Sequence, residues 1–164
     1  MIKKAIFFIS LFAAVVFMPS CERNDYQEWK MINEQWLAQW QEEIKTYNDT
    51  TQGNKYITTE SGLIYKIIDE GDENQRLPIE YSSIKVTYTG QFIDGSAFDS
   101  LSDPSWLSMT SVVQGWVEGL KKLHTGGIID LYIPYTLGYG EDGSGSIPPY
   151  SILIFNIHLY GSRY

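Results

Sequence analysis

Chemistry in this chain has to be sought among aromatic rings, hydroxyls and backbone donors, because the usual catalytic groups are scattered. The two histidines, His124 and His158, stand apart from any carboxylate cluster with metal-ligand spacing. The lone cysteine, Cys21, lies near the N-terminus and cannot form a disulfide within one chain. No Gly-Lys-Ser/Thr phosphate loop and no Gly-x-Ser-x-Gly elbow occurs. Asp99-Ser100 offers a hydroxyl, but no histidine keeps it company, so hydrolase chemistry is set aside. Neither a metal nor a cofactor is expected. What stands out is a set of aromatic and apolar residues at strand ends and loops. They are Tyr88-Thr89-Gly90, Asp94-Gly95-Ser96-Ala97-Phe98-Asp99-Ser100, Val112-Val113-Gln114-Gly115-Trp116, Tyr139-Gly140, Ile147-Pro148-Pro149 and Leu153-Ile154-Phe155.

These residues need elements to hold them. Residues 112–123 form a short amphipathic helix by spacing, with Val113, Trp116, Val117, Leu120 and Leu123 at i, i+3, i+4 and i+7. Gly115 and Gly119 cost such a helix about 1 kcal/mol each relative to alanine. It can survive only if packing surrounds it, and glycines allow that close approach. Strands are expected at 56–58, 63–69, 84–93, 107–109, 128–133 and 152–159, several alternating apolar and polar. Gly71, Asp94-Gly95, Gly126-Gly127 and Gly143 to Gly145 punctuate them as turns. The expectation is an α+β fold, an antiparallel sheet around one lone helix with Trp116 on the enclosed face.

Ahead of this lies a second helical pattern. Trp29, Ile32, Trp36, Trp40, Ile44 and Tyr47 step by three or four residues across 25–47. Three readings stay open for this stripe: packing on the following domain, a homodimer or partner helix, or a membrane-surface helix. The acidic polar face weakens the last. Residues 48–54 read as a linker, which divides the chain into 1–20, 21–54 and 55–164. Residues 1–20 have the form of an export leader, with Lys3 and Lys4 before an apolar run from 5 to 18. A small residue, Ser20, directly before Cys21 resembles the cleavage box of bacterial lipoprotein signals. That implies lipidation of Cys21 and a cell-envelope location, facing the periplasm or the outer membrane. Met18 and Pro19 depart from the usual box; the alternative is an ordinary secretory signal. A net charge of −8 and a pI of about 4.7 argue against a nucleic-acid partner.

In order, Val-x-Tyr-Thr-Gly, Asp-Gly-x-x-Phe-Asp-Ser, Val-Val-Gln-Gly-Trp-x-Glu-Gly-Leu, Tyr-Gly and Ile-Pro-Pro resemble an FK506-binding-protein-type (FKBP) peptidyl-prolyl cis-trans isomerase. Thr59-Glu60-Ser61-Gly62-Leu63-Ile64-Tyr65 resembles the opening strand of its bacterial members. The resemblance covers residues 56–161. It implies a twisted antiparallel sheet of five or six strands wrapped around one short helix. It also implies a cleft that takes up a proline side chain of protein or peptide substrates and, in many members, the macrolides FK506 and rapamycin. By position, Trp116 is the floor, Tyr88, Phe98 and Phe155 are walls, and Val112 and Val113 form the lip. The Val113 N–H and the Tyr139 hydroxyl would hold substrate carbonyls. Ile147 would cover the ring, and Asp99 is the polar member. The alternative for Tyr88, Phe98, Trp116 and Phe155 is that they only fill a core.

The departures from the family pattern fall in one region. Between Asp99 and Trp116 the chain is several residues short, and the arginine that would pair with the aspartate is absent, so Asp99 is expected to be loosely held. Trp106 is the candidate replacement for a flap phenylalanine in substrate binding. Ser111 stands where relatives often carry glutamate. The loop from Tyr139 to Ile147 is also short. Two functions remain in view: a lipid-anchored isomerase that helps exported proteins fold, and a non-catalytic module that binds proline peptides or a protein partner on the same fold. A purely structural envelope lipoprotein is a weaker third.

Overall fold

The alternation of Ile84 and Val86, of Ile129, Leu131 and Ile133, and of Leu153, Phe155, Ile157 and Leu159 sets the architecture, because each set lies buried on one face of its strand. The computed structural model describes residues 23–164, so Cys21 and the leader lie outside the described residues. In chain order the elements are α1 (Arg23–Thr50), β1 (Ile57–Thr58), β2 (Ile64–Asp69), β3 (Ser83–Gln91), β4 (Ala97–Ser108), α2 (Gln114–Leu120), β5 (Ile128–Ile133) and β6 (Leu153–Arg163). Short 3-10 turns occupy Met109–Ser111 and Tyr135–Leu137. The strands make one sheet in the order β1-β2-β5-β6-β3-β4, with every neighbouring pair antiparallel. The expected α+β architecture, an antiparallel sheet of five or six strands with one short helix, is observed with six strands.

Helix α2 is seven residues long and has no side-chain cap, far short of what a helix needs to persist alone in water. Packing holds it. Trp116 is 3% exposed, and Leu120 and Leu123 are fully buried. The two glycines face β5. A Cβ on Gly115 would stand 2.6 Å from Ile133 Cγ2, and one on Gly119 would stand 2.5 Å from Leu131 Cδ2. Absent side chains here bring the helix backbone down onto the sheet.

Strand β4 departs from expectation. Residues 107–109 carried the strand signal, yet the strand runs from Ala97 to Ser108 and Met109 opens the 3-10 turn. It is an edge strand, exposed along most of its length, so burial imposes no alternation on its sequence. Pro104 is tolerated because the ladder slips there: Val86 pairs with Ser105 and Tyr88 with Leu101, leaving Ser102, Asp103 and Pro104 without partners.

Helix α1 lies on the opposite face of the sheet from α2. Trp36 and Trp40 stack at 5.8 Å, and both meet Tyr132 of β5, which alternates with the α2-facing Leu131 and Ile133. Tyr56 sets its edge on Trp40 at 5.3 Å, and Ile44 is 5% exposed. The tryptophan stripe is therefore engaged by its own chain. Ile32, expected on that stripe, is 42% exposed, while Asn33 beside it is 1% exposed. At this turn the helix meets not an apolar surface but the backbone N–H of Ile152, which needs an acceptor. Residues 48–50 of the expected linker belong to α1, and the Asn48 side chain there bonds both the N–H and the carbonyl of Tyr56.

Candidate active site

Strand β3 supplies Tyr88, β4 supplies Asp99 and Leu107, and the turn into α2 supplies Ser111, Val112 and Val113. Trp116 comes from α2, Tyr139 from the loop after β5, and Phe155 from β6. Together they line a cleft of about 230 Å³. Three rings form its base. Tyr88 meets Trp116 at 5.0 Å, Trp116 meets Phe155 at 5.1 Å and Tyr88 meets Phe155 at 6.0 Å, all edge to face. Such pairs add about 0.5–1.5 kcal/mol each beyond their burial, so the base is stiff. Gly90 stands opposite Phe155 in the β3–β6 ladder, and a Cβ there would lie 2.8 Å from both the Phe155 and Phe98 rings.

Polar groups are few. The Tyr88 hydroxyl donates to Asp99 Oδ2 at 2.6 Å, and the Ser100 N–H donates to Asp99 Oδ1 at 2.8 Å. The expectation that Asp99 is loosely held is overturned, since the Tyr88 hydroxyl and the Ser100 N–H fix both of its oxygens. Burial, and then the bond to Asp99 and its charge, push the Tyr88 hydroxyl above the ordinary tyrosine range, so it stays a donor at working pH. Val113 is the N-cap of α2, and its N–H enters no backbone hydrogen bond among the described residues. Trp116 Nε1 is buried without a partner, as are Trp40 Nε1 and Ser162 Oγ away from the cleft, each at a cost of about 1–3 kcal/mol.

Of the residues singled out from the sequence, Tyr88, Asp99, Val112, Val113, Trp116, Tyr139 and Phe155 meet at this cleft. Three do not. Phe98 stands behind the wall, edge-on to Phe155 at 5.3 Å and 4.9 Å from Phe92. Ile147 packs against the core from its loop without lining the cleft. Trp106 turns to the other face of β4 from Leu107, 42% exposed, with the Arg163 guanidinium 4.1 Å over its ring. Adjacent strand residues point to opposite faces, so Leu107 is the one that reaches the cleft. Leu107 and Ser111 are the lining residues that sequence reasoning did not assign; strand alternation from Met109 would have found Leu107. His124 Nδ1 lies 2.8 Å from the Gln75 carbonyl and His158 stacks on Tyr160. No cluster of His, Cys, Asp and Glu able to hold a metal occurs among the described residues. The cleft can grip and desolvate a neutral planar group, and its one carboxylate, Asp99, is already engaged by Tyr88 and Ser100.

The chain is similar to known proteins. The chain is 36% identical over 122 residues to the FKBP-type 22 kDa peptidyl-prolyl cis-trans isomerase of Escherichia coli, covering 72% of this chain and 58% of that protein. It is also 36% identical over 119 residues to the FKBP-type peptidyl-prolyl cis-trans isomerase FkpA of Escherichia coli, covering 70% of this chain and 43% of that one. The crystal structure of FkpA from Escherichia coli superposes with a TM-score of 0.73 at 30% identity, over 86% of this chain and 64% of FkpA. The chain thus spans roughly half the length of these sequence relatives. The model of the family described as FKBP-type peptidyl-prolyl cis-trans isomerase matches residues 74–160, every cleft-lining residue among them. This chain belongs to the FKBP-type peptidyl-prolyl cis-trans isomerase family.

Proposed function

We propose that the chain is an isomerase that accelerates rotation about X–Pro bonds in exported or envelope proteins and so assists their folding. One observation carries the reading: three edge-to-face rings, Tyr88, Trp116 and Phe155, close the base of a cleft whose one lining carboxylate is itself fixed. The barrier to rotation is about 18–20 kcal/mol because the amide is planar and resonance-stabilised. Resonance separates charge, and twisting removes that separation. A dry cleft therefore disfavours the planar ground state more than the twisted transition state. Trp116 would underlie the prolyl ring, with Tyr88 and Phe155 as walls and Leu107, Val112 and Val113 as lip. The Val113 N–H and the Tyr139 hydroxyl would hold the flanking carbonyls in the twisted geometry. Phe98 and Ile147 would act from behind, supporting the wall and the loop. A macrolide such as FK506 or rapamycin would compete for the same floor.

We further infer that Cys21 is lipidated and tethers the chain to the cell envelope, on the support of Lys3, Lys4, the apolar run and Ser20. A homodimer through the tryptophan stripe would need a surface that α1 already sets against Tyr132 and Tyr56. A non-catalytic proline-peptide binder is the second reading, favoured by the shortness of the chain between Asp99 and Trp116. An X-Pro peptide assay following cis-trans exchange, with and without a macrolide, decides between them. Acceleration by the wild type, lost in Trp116→Ala, is expected of the isomerase. A folded wild type that binds proline peptides without accelerating exchange selects the binder.

A further inference from the structure

Two routes connect helix α1, which lies outside the 74–160 region matched by the family, to the cleft. The first is polar and largely buried. Asn33, 1% exposed, accepts the Ile152 N–H at 2.9 Å through its amide oxygen and donates to its own helix at the Trp29 carbonyl, also at 2.9 Å. Trp29 Nε1 donates to Ser151 Oγ at 3.0 Å, and Ser151, 3% exposed, donates onward to the Pro148 carbonyl at 2.8 Å. Residues 148–152 are the exit of the loop that begins at Tyr139 and carries Ile147. The same loop closes on itself through Ser144 and Ile147, and through the Tyr150 N–H bonded to the Gly140 carbonyl. The second route is aromatic: Trp29 sets its edge on Phe92 at 6.0 Å, Phe92 meets Phe98 at 4.9 Å, and Phe98 meets Phe155 at 5.3 Å. Phe155 is the cleft wall.

We propose that Trp29 and Asn33 are positioning residues for the cleft, fixing from α1 both the loop that carries Tyr139 and the Phe92–Phe98–Phe155 stack behind its wall. This rests on the isomerase reading for its kinetic readout. Asn33 answers the Ile152 N–H and Trp29 answers Ser151, so both place directional bonds on the exit of this loop. The other half of α1 packs through Trp36, Trp40 and Ile44 and hydrogen-bonds Tyr56, away from this loop. Hydrogen bonds set angle and register as well as contact. The loop, with three glycines at positive φ (Gly140, Gly143 and Gly145), bonds its own backbone internally, so the bonds from α1 are what fix its seating against the sheet. Loosening the loop lowers the fraction of protein ready to bind, which saturating substrate restores, so it acts on KM and not on kcat.

The test uses the full chain with Trp29→Phe, Ser151→Ala, Ser151→Thr and, as a control at the far end of α1, Ile44→Val. Trp29→Phe keeps the ring and loses the indole donor; Ser151→Ala loses both the acceptor and the bond to Pro148. Positioning requires that both raise KM by about tenfold with kcat within about twofold. Ser151→Thr, which keeps a hydroxyl, should restore most of it. Ile44→Val should lower thermal stability without moving KM. Wild-type KM in Trp29→Phe and Ser151→Ala, or a KM change in Ile44→Val matching theirs, overturns the inference. If the wild type itself does not accelerate exchange at X–Pro bonds, the isomerase reading fails. The positioning inference then rests on amide hydrogen exchange across 140–150: faster in Trp29→Phe and Ser151→Ala than in Ile44→Val sustains it, and equal rates overturn it.

Discussion

The hydroxyl of Tyr88 donates to Oδ2 of Asp99 at 2.6 Å, so one aromatic wall of the cleft also holds the one carboxylate that lines it. In the sequence the two are eleven residues apart on different strands, with no hint of partnership. The donor is neutral, so the bond fixes the direction of the carboxylate and leaves its charge uncompensated at the cleft rim.

Tyr88→Phe and Asp99→Asn should therefore be coupled. Each should lower kcat/KM, Tyr88→Phe by about tenfold, equivalent to about 1.4 kcal/mol. The double variant should lose less than the product of the two, with a coupling near the lower end of the 0.5–3 kcal/mol range for contacting residues, because Asp99 is exposed. Strict additivity in the double-mutant cycle would show that the bond has no part in activity.

Trp116 carries the floor, and its two substitutions should separate shape from stability. Trp116→Ala should abolish acceleration and lower unfolding free energy by about 3–5 kcal/mol in denaturant titration. Trp116→Phe keeps an aromatic floor and should retain most of the stability with partial activity. Full activity in Trp116→Ala would remove the cleft from the mechanism.

Gly119→Ala tests the seating of α2. Helix propensity alone favours alanine by about 1 kcal/mol. Overpacking against Leu131, where the new Cβ would sit 2.5 Å from Cδ2, should cost more, about 1–3 kcal/mol, making the variant net destabilised. Trimming the neighbour in Gly119→Ala/Leu131→Val should recover part of the loss. A stabilised single variant would mean that helix and sheet are not in this contact.

The pH dependence follows from two tyrosines. Tyr88 and Tyr132 are both raised above the ordinary range, chiefly by burial, with a further push from Asp99 and Tyr56 respectively. A tyrosine whose folded pKa exceeds its unfolded value of about 10 keeps its proton in the native state after the unfolded chain has lost it. Stability from this source is complete below about pH 10 and falls as pH rises above it. Thermal unfolding should therefore show a loss above about pH 10 that is smaller in Tyr88→Phe and Tyr132→Phe. An unchanged alkaline slope in both variants would contradict the assignment.

Anchoring has a direct test. Wild-type protein expressed from the full sequence should partition with membranes and take up labelled fatty acid, and Cys21→Ala should do neither. Wild-type protein that is soluble and unlabelled would replace the lipid anchor with a plain secretory leader.

Local pattern determined much of this protein by itself. The 3.6-residue spacing of Val113, Trp116, Val117 and Leu120 marked α2, and burial of one side of β3, β5 and β6 forced their two-residue alternation, so both periods could be read from residue types alone. The cleft was marked by resemblance and not by period: the ordered motifs around Tyr88, Asp99, Val113, Trp116 and Tyr139 match those of the FKBP-type family. Tertiary structure decided the rest. Strand β4 lies at a sheet edge, where solvent leaves no burial period, and a single step along it decides that Leu107 and not Trp106 faces the cleft. The partners of Asp99, Asn33 and Trp29 come from distant segments, brought within hydrogen-bond reach only when the sheet closes and α1 docks on its outer face. A hydrogen bond across such distances depends on where two backbones meet in space, which residue spacing along one chain does not encode.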